Sequence, residues 1–365
     1  MDFTELDRYL EGLEEAWQVP ACSLAVRIGR ETVYERCRNT SPEAIYWLYS
    51  ATKVFTAAMF CRLLEQRKLR LEDRVSDYLP EYAELEIASG TGERRKATKP
   101  LTLEQLISMC GGLTYDIGNP AITEAKDRST RGIVREIAKM PLVDEPGDTY
   151  QYSLCHDVLA AVMEVVTGLR YGELLRREIT EPLGMRDTVF HPDEARKKRF
   201  APQYRWQGRH KPPLLADGSN MFCFSPDYDS GGAGLCSTLR DYILLPEALA
   251  NGGLGRDGYP LLRPETIEMM REDHVTGSRL RGFELRWGRL KSYGYGLGVR
   301  VKTHPLVGWS PVGEFGWDGA AGAYCIIDPK NRLSAFYVQH VLEMGPVFEE
   351  IQPQLRELIY LGLES

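Results

Sequence analysis

Strand patterns crowd the two ends of this 365-residue chain, and that distribution constrains its fold more than any other feature. Near the start, residues 23–28 and 32–37 read as two strands around Gly29-Arg30, which predicts a hairpin. Near the end, YGYGLGVRV from Tyr293 alternates small and large residues, like a strand against which something packs closely. Residues 322–328 and 333–340 then face each other across Asp328-Pro329-Lys330-Asn331. About 240 residues of mainly helical pattern lie between these groups. A strand needs a neighbour to satisfy its backbone, so the two ends must meet. The expected architecture is α+β: an antiparallel sheet built from both chain ends, flanked by terminal helices over 1–17 and 347–360, with a large mainly helical insert. We read it as a single domain over 1–365, with one subdomain from 1–49 plus 290–365 and a second from 50–289. A chain this long, 43% hydrophobic, has ample apolar surface for that core.

Within the insert, a charged loop is expected over 89–99 and a helix from Thr102 to the Gly111-Gly112 pair. A second, amphipathic helix over 154–166 is closed by Gly168. Gly231-Gly232-Ala233-Gly234 reads as a flexible turn before a helix over 238–250. The last strand group and the terminal helix follow, the latter with a bend expected at Pro353.

The insert opens on Ser50-Ala51-Thr52-Lys53. Serine and lysine three apart share a helix face. From Ser50 to Cys61, Lys53 is the only charge among apolar residues and small hydroxyls, so the helix is buried on nearly every side. A lysine in such a helix must pair, lose its proton or serve chemistry. A neutral amine can take a proton from a neighbouring hydroxyl, and the nearest by spacing is Ser50 at the helix N-terminus, where backbone N–H groups lack intrahelical partners. A Ser-x-x-Lys string arises roughly once by chance in a chain of this length. From the residues alone, two readings therefore stand: a nucleophile with its base, or a capping serine beside a snorkelling lysine.

Composition excludes several functions. The net charge is −7 and basic runs are short, such as Lys197-Lys198-Arg199, so nucleic acid is not an expected partner. No apolar stretch approaches a membrane span, and the N-terminus reads as an acidic amphipathic helix instead of a signal peptide. The eight cysteines have no paired spacing and read as reduced thiols, which places the protein in the cytoplasm. The six histidines are dispersed, so neither a metal nor another cofactor is expected.

A serine with an amine still needs proton relay and an oxyanion site. Tyr152-Ser153 sits just before the 154–166 helix, where a phenol could be aimed into a cleft; a tyrosine packing its ring is the commoner role. Trp317-Asp318-Gly319-Ala320 opens the C-terminal hairpin, and its glycine would let a ligand approach the next N–H; a plain hairpin entry is the alternative.

The order of these pieces, with LEQRKLRLEDRVSDYLPEY, LTLEQLISMCGGLTYD, EPLGMRDTVF and SGGAGLCSTLRDY, resembles the serine β-lactamase and penicillin-binding-protein superfamily over almost the whole chain. The branch it resembles most is that of class C β-lactamases and their relatives, the family VIII carboxylesterases. The resemblance implies a β-lactamase/transpeptidase-like fold with its active site between the two subdomains. It implies Ser50 as nucleophile, Lys53 as its partner and Tyr152 as the tyrosine of Tyr-x-Asn. Trp317-Asp318-Gly319 falls on the Lys-Thr-Gly strand, and the oxyanion donors would be the N–H groups of Ser50 and Ala320.

Two departures bear on substrate. Leu154 replaces the asparagine of Tyr-x-Asn and Trp317 the lysine of Lys-Thr-Gly, which puts recognition of an anionic β-lactam in doubt. Leu154, Trp317, Asp318 and Gly319 are thus candidate substrate-binding residues, and His156 and Asp157 could support the site from behind. A Ser-His-Asp hydrolase is disfavoured, since Gly308-Trp309-Ser310-Pro311-Val312 lacks the second glycine of Gly-x-Ser-x-Gly. The expected function is cleavage of small neutral esters through an acyl-enzyme. The alternatives are acyl transfer from the same intermediate, hydrolysis of β-lactams or D-amino peptides, and a sensor that acylates without turnover. The expected partner is a small ester or acyl substrate; the sequence leaves oligomeric state open.

Overall fold

The computed structural model describes residues 1–88, 93–305 and 308–364. Its centre is a seven-stranded antiparallel sheet. In chain order the strands are β1 (Cys22–Ile28), β2 (Glu31–Arg38), β3 (Tyr293–Tyr295), β4 (Arg300–Lys302), β5 (Phe315–Gly316), β6 (Tyr324–Asp328) and β7 (Leu333–Val338). They lie side by side as β2-β1-β7-β6-β5-β4-β3. The join between the chain ends is the β1–β7 ladder, with Ser23 opposite Val338 and Ile28 opposite Leu333. The N-terminal hairpin and the 328–333 hairpin form as expected.

The side-chain period of two explains how both faces are covered. Leu24, Val26, Ile326, Ala335 and Tyr337 point to one face. There they pack with Leu6, Leu10 and Leu13 of helix α1 (Thr4–Trp17) and with Leu355 and Ile359 near the C-terminus. Their neighbours Ala25, Cys325, Ile327, Phe336 and Val338 point the other way, into the core of the insert. The two terminal helices thus share one face of the sheet, and the helix Leu244–Ala250 packs across β6 and β7 on the other.

Several local expectations are corrected. YGYGLGVRV is two strands, β3 and β4, joined by a turn in which Gly298 has φ +82°; a side chain there would press on Ala57 and His156. The helix that begins after Thr102 does so with the capping box of Thr102 and Gln105, but ends at Ile107, because Met109 turns into the left-handed region ahead of the glycines. The terminal helix starts with a widened π-type turn over Val347–Ile351 and is regular from Gln352, so the irregularity lies in the turn just ahead of Pro353, where the wider spacing leaves room for a residue without an N–H. The stretch 198–238 carries no helix, only short ladders such as Tyr46–Trp47 with Cys236–Ser237. Of the loop expected over 89–99, residues 89–92 lie outside the described residues; Glu86–Ala88 and Arg94–Lys96 pair on either side. All eight cysteines are free. Among the described residues no helix is long and apolar enough to cross a membrane.

Candidate active site

Ser50 sits in a short 3₁₀ turn, Tyr49–Thr52, that runs directly into the helix Lys53–Glu65. The turn is fixed from both sides. Tyr49 is held at φ +48°, a conformation an L side chain rarely adopts, and its hydroxyl accepts from Gln203 Nε2 at 2.8 Å. The Ala51 carbonyl accepts from Tyr242 Oη at 3.0 Å, and Thr52 Oγ1 from the Leu235 N–H at 3.2 Å. A buried residue in a strained conformation next to a candidate nucleophile shows that the surroundings fix this turn.

Every residue from Lys53 to Cys61 is buried, as the lone charge in an apolar run predicted. Lys53 Nζ donates to Ser50 Oγ at 3.2 Å and to the Gly232 carbonyl at 2.8 Å. It also lies over the ring of Tyr152, 4.7 Å from the centroid. The glycine-rich turn that supplies this carbonyl is packed, not flexible. A side chain on Gly231 would lie 2.4 Å from the His156 carbonyl, and one on Gly232 2.7 Å from Asp157 Oδ2. The Gly231 carbonyl accepts from Thr56 Oγ1 at 2.6 Å.

Asp157 explains how that turn is held. Its Oδ1 accepts from Tyr228 Oη at 2.7 Å and from Ser230 Oγ at 2.6 Å, so the carboxylate ties down the segment that carries the Gly232 carbonyl. His156, one residue earlier, is fully buried, and burial first, then the charge of Lys53, pushes its pKa down to about 3. Its Nε2 lies 3.4 Å from the Ile107 carbonyl, and its Nδ1 has no partner. It is a neutral wall behind Lys53.

Tyr152 is almost buried, and its hydroxyl accepts a hydrogen bond from Trp317 Nε1 at 3.1 Å. The structure therefore brings together Ser50, Lys53, Tyr152 and Trp317. Leu154 lies deeper: it is fully buried just ahead of the helix Cys155–Thr167, and its N–H reaches the Thr114 carbonyl. Asp318 points elsewhere, its carboxylate held by Arg289 at 2.8 Å. Gly319 presses its backbone on the turn before Ser50; a side chain there would lie 2.1 Å from the Leu48 carbonyl. Among the hydrogen bonds of the described residues, neither the Ser50 N–H nor the Ala320 N–H has an acceptor. Ala320 is exposed and Ser50 half-buried.

Sequence reasoning missed two aromatic residues. Tyr115 stacks on Tyr152, with centroids 5.4 Å apart and planes 19° from parallel. Burial raises its phenol pKa well above the usual value, and the Ser50 hydroxyl beside it opposes that rise. Trp287 stands edge-on to both Tyr152 and Trp317, 5.2 and 5.7 Å away. The position of Tyr115 just after the Gly111-Gly112 turn was its one available signal; nothing local marks Trp287. Among the described residues, no group of three or more His, Cys, Asp or Glu side chains is placed to hold a metal.

Ser50 and Lys53 thus stand at the head of a buried helix, in a chain whose central sheet is built from both ends. The β-lactamase family profile (Beta-lactamase) matches residues 6–357. The chain belongs to the β-lactamase family. It is an enzyme of the serine hydrolase kind. It is similar to Esterase EstB of Burkholderia gladioli, 27% identical over a gapped match of 392 positions that covers 96% of this chain and 93% of EstB. Two solved structures share its fold. EstCE1, described as a hydrolase with promiscuous acyltransferase activity, gives a TM-score of 0.80 at 22% identity over 98% of this chain and 99% of its own. Simvastatin synthase (LovD) from Aspergillus terreus gives 0.83 at 21% identity over 99% and 98%.

Proposed function

We propose that this β-lactamase-family chain is a carboxylesterase that cleaves small neutral esters through an acyl-enzyme on Ser50. The observation that carries the reading is the pair of Lys53 contacts, 3.2 Å to Ser50 Oγ and 2.8 Å to the Gly232 carbonyl. The carbonyl fixes one N–H of the amine and leaves the rest of it facing the serine. As Ser50 Oγ attacks the ester carbonyl carbon, its proton passes to the Lys53–Tyr152 unit. The Ser50 and Ala320 N–H groups receive the oxyanion; losing one such donor typically costs ~3 kcal/mol of transition-state stabilisation. The C–O bond to the alcohol then breaks, and the alkoxide leaves as a neutral alcohol with the proton delivered through Tyr152. Water then attacks the acyl carbon and gives its proton to the same Lys53–Tyr152 unit; the bond from Ser50 Oγ to the acyl carbon breaks, the oxygen takes the proton back, and the carboxylic acid leaves.

Substrate preference follows from the walls. The group that faces Tyr152 on the C-terminal strand is an indole, not a cation, and Tyr115 and Trp287 extend the aromatic surface. Such walls favour apolar ester groups; the guanidiniums of Arg286 and Arg289 lie 4.9 and 5.3 Å from the Trp287 ring centre and are held by that ring and, for Arg289, by Asp318. The similarity to EstB supports ester cleavage. The free cysteines suit a reducing compartment, and we place the protein in the cytoplasm. The deciding experiment is turnover by purified protein across an ester, amide and β-lactam panel, with and without an added alcohol, against Ser50→Ala. Ester turnover lost in the variant supports the reading. A β-lactam preferred to every ester, one equivalent of acylation without turnover, or quantitative transfer to the alcohol would each replace it.

A further inference from the structure

His340 stands just past strand β7, and the parallel ladder of Tyr204 and Arg205 with Val341 and Leu342 sets Gln203 beside it. Both side chains are buried, and so is that of Tyr49, next to Ser50. A chain of hydrogen bonds links the three. Burial keeps the imidazole neutral, its pKa pushed down to about 4. Its Nδ1 lies 3.0 Å from the Ala201 carbonyl, which can only accept, so Nδ1 carries the ring proton. Nε2 is then an acceptor, and it receives the Gln203 amide nitrogen at 3.1 Å and the Trp47 N–H at 3.3 Å. This orients the amide. Its nitrogen has two protons, one for His340 and one for the Tyr49 hydroxyl oxygen, 2.8 Å away.

The end of this chain bears on Ser50 through the backbone. The Leu48 carbonyl is fixed: it accepts from the Ala51 N–H at 3.1 Å, and Gly319 presses on it. Only the φ and ψ of Tyr49 separate that peptide from the next, which carries the Ser50 N–H. Tyr49 stands at φ +48°, which an L residue does not hold unaided. Its ring packs among Trp47, Phe222 and Ala233, a place that the ring of phenylalanine would also fill. The hydroxyl adds nothing to that packing, and burying it with an amide and an imidazole is costly unless each is paired. Its use lies in direction: a hydrogen bond holds the ring to one setting, where apolar contact alone allows several.

We infer that His340 and Gln203 are positioning residues for Ser50: the fixed imidazole aims the Gln203 amide, the amide holds the Tyr49 hydroxyl, and Tyr49 so held sets the direction of the Ser50 N–H and side chain. The inference rests on Ser50 as the nucleophile. The test is the rate at which a fluorophosphonate labels Ser50 in the full chain, resolved into reagent binding and bond formation, with peptide mass spectrometry locating the adduct. Tyr49→Phe and Gln203→Leu each slow bond formation about 5- to 10-fold, the worth of one neutral hydrogen bond, and leave reagent binding unchanged. The double variant is no slower than the slower single one, since both cut the same chain. His340→Leu slows labelling likewise, and His340→Gln, which offers an amide oxygen where Nε2 stood, restores it. A merely structural role would lower thermal stability across the series without this split or this rescue. Tyr49→Phe keeps the ring and stays readable if a Gln203 or His340 variant does not fold. Unchanged bond formation in Tyr49→Phe, additive losses in the double variant, weakened reagent binding in place of slowed bond formation, or no rescue by His340→Gln overturns the inference. A wild type labelled on Ser50 that prefers a β-lactam, or transfers its acyl group, replaces the ester reading and leaves this inference standing; a wild type not labelled on Ser50 removes both.

Discussion

The indole nitrogen of Trp317 donates to the phenol oxygen of Tyr152 across 3.1 Å. A neutral donor therefore stands against the tyrosine, at the residue that the resemblance to the Lys-Thr-Gly strand would give to a lysine. It can orient the phenol and support charge on its oxygen, but it brings no positive charge for a substrate carboxylate.

Substrate selection should reflect this. A carboxylate without a charge-assisted partner forgoes roughly 1.5–3 kcal/mol, a factor of about 10 to 150 in binding. Esters also have better leaving groups than amides. We predict that kcat/KM for a short aryl ester exceeds that for a chromogenic cephalosporin by at least ~100-fold. Trp317→Phe, which keeps a ring and removes the N–H, should lower ester kcat by about 2- to 10-fold, the worth of one neutral hydrogen bond. Equal efficiency on both substrates in the wild type contradicts the prediction.

The nucleophile can be identified chemically. A fluorophosphonate or a slow ester should add one mass equivalent to the peptide that contains Ser50. Peptide mass spectrometry locates the adduct; finding it on Ser153 or Ser310 would remove Ser50 from its role.

Lys53 and Tyr152 should behave as one unit, since the amine lies against the phenol ring and touches the serine. Lys53→Ala and Tyr152→Phe should each reduce kcat by at least ~100-fold, and the double variant should be little worse than the poorer single one. Full additivity in the cycle would separate their roles.

Acid should destabilise the fold through two buried histidines. Burial pushes His156 down to about 3 and His340 down to about 4. Both values lie below the unfolded value of about 6.5. Between those limits the unfolded chain binds protons that the native state refuses, so stability rises with pH there and is lost as pH falls below ~6.5. The slope is at most about 1.4 kcal/mol per pH unit for each histidine. Urea unfolding at pH 7, 6 and 5 measures it. His340 accepts from the Trp47 N–H and Nδ1 lies 3.0 Å from the Ala201 carbonyl, so His340→Gln should flatten the slope while lowering stability overall. A stability that stays constant from pH 7 to pH 5 would refute the assignment.

The legible parts of this molecule are those with a local cause. The lone lysine in an apolar run marked the helix from Lys53 and its contact with Ser50. Strand patterns at both ends marked the sheet, since only pairing across the chain could satisfy them. What stayed hidden depends on long-range packing. The Gly231-Gly232-Ala233-Gly234 turn has the composition of a flexible loop, and Asp157, Thr56, Lys53 and Asn220, none of them adjacent in sequence, hold it in place. Trp287 joins the site through rings contributed by other elements. Asp318 was read with its neighbour Trp317, yet successive residues of an extended strand face opposite ways, and its carboxylate meets Arg289.

The contact between Gly319 and the Leu48 carbonyl has a consequence for how such an enzyme can change. The two peptide segments that carry the Ser50 and Ala320 N–H groups meet backbone to backbone, with no side chain between them. Their spacing is then independent of the residues that shape the surrounding aromatic surface. Mutation can rebuild the walls around a substrate one ring at a time, while the Ser50 and Ala320 N–H groups, proposed above to receive the developing charge, keep their separation. Variation in what is cleaved is thereby decoupled from the means of cleaving it, and a library at positions 115, 287 and 317 can be searched at constant position 319.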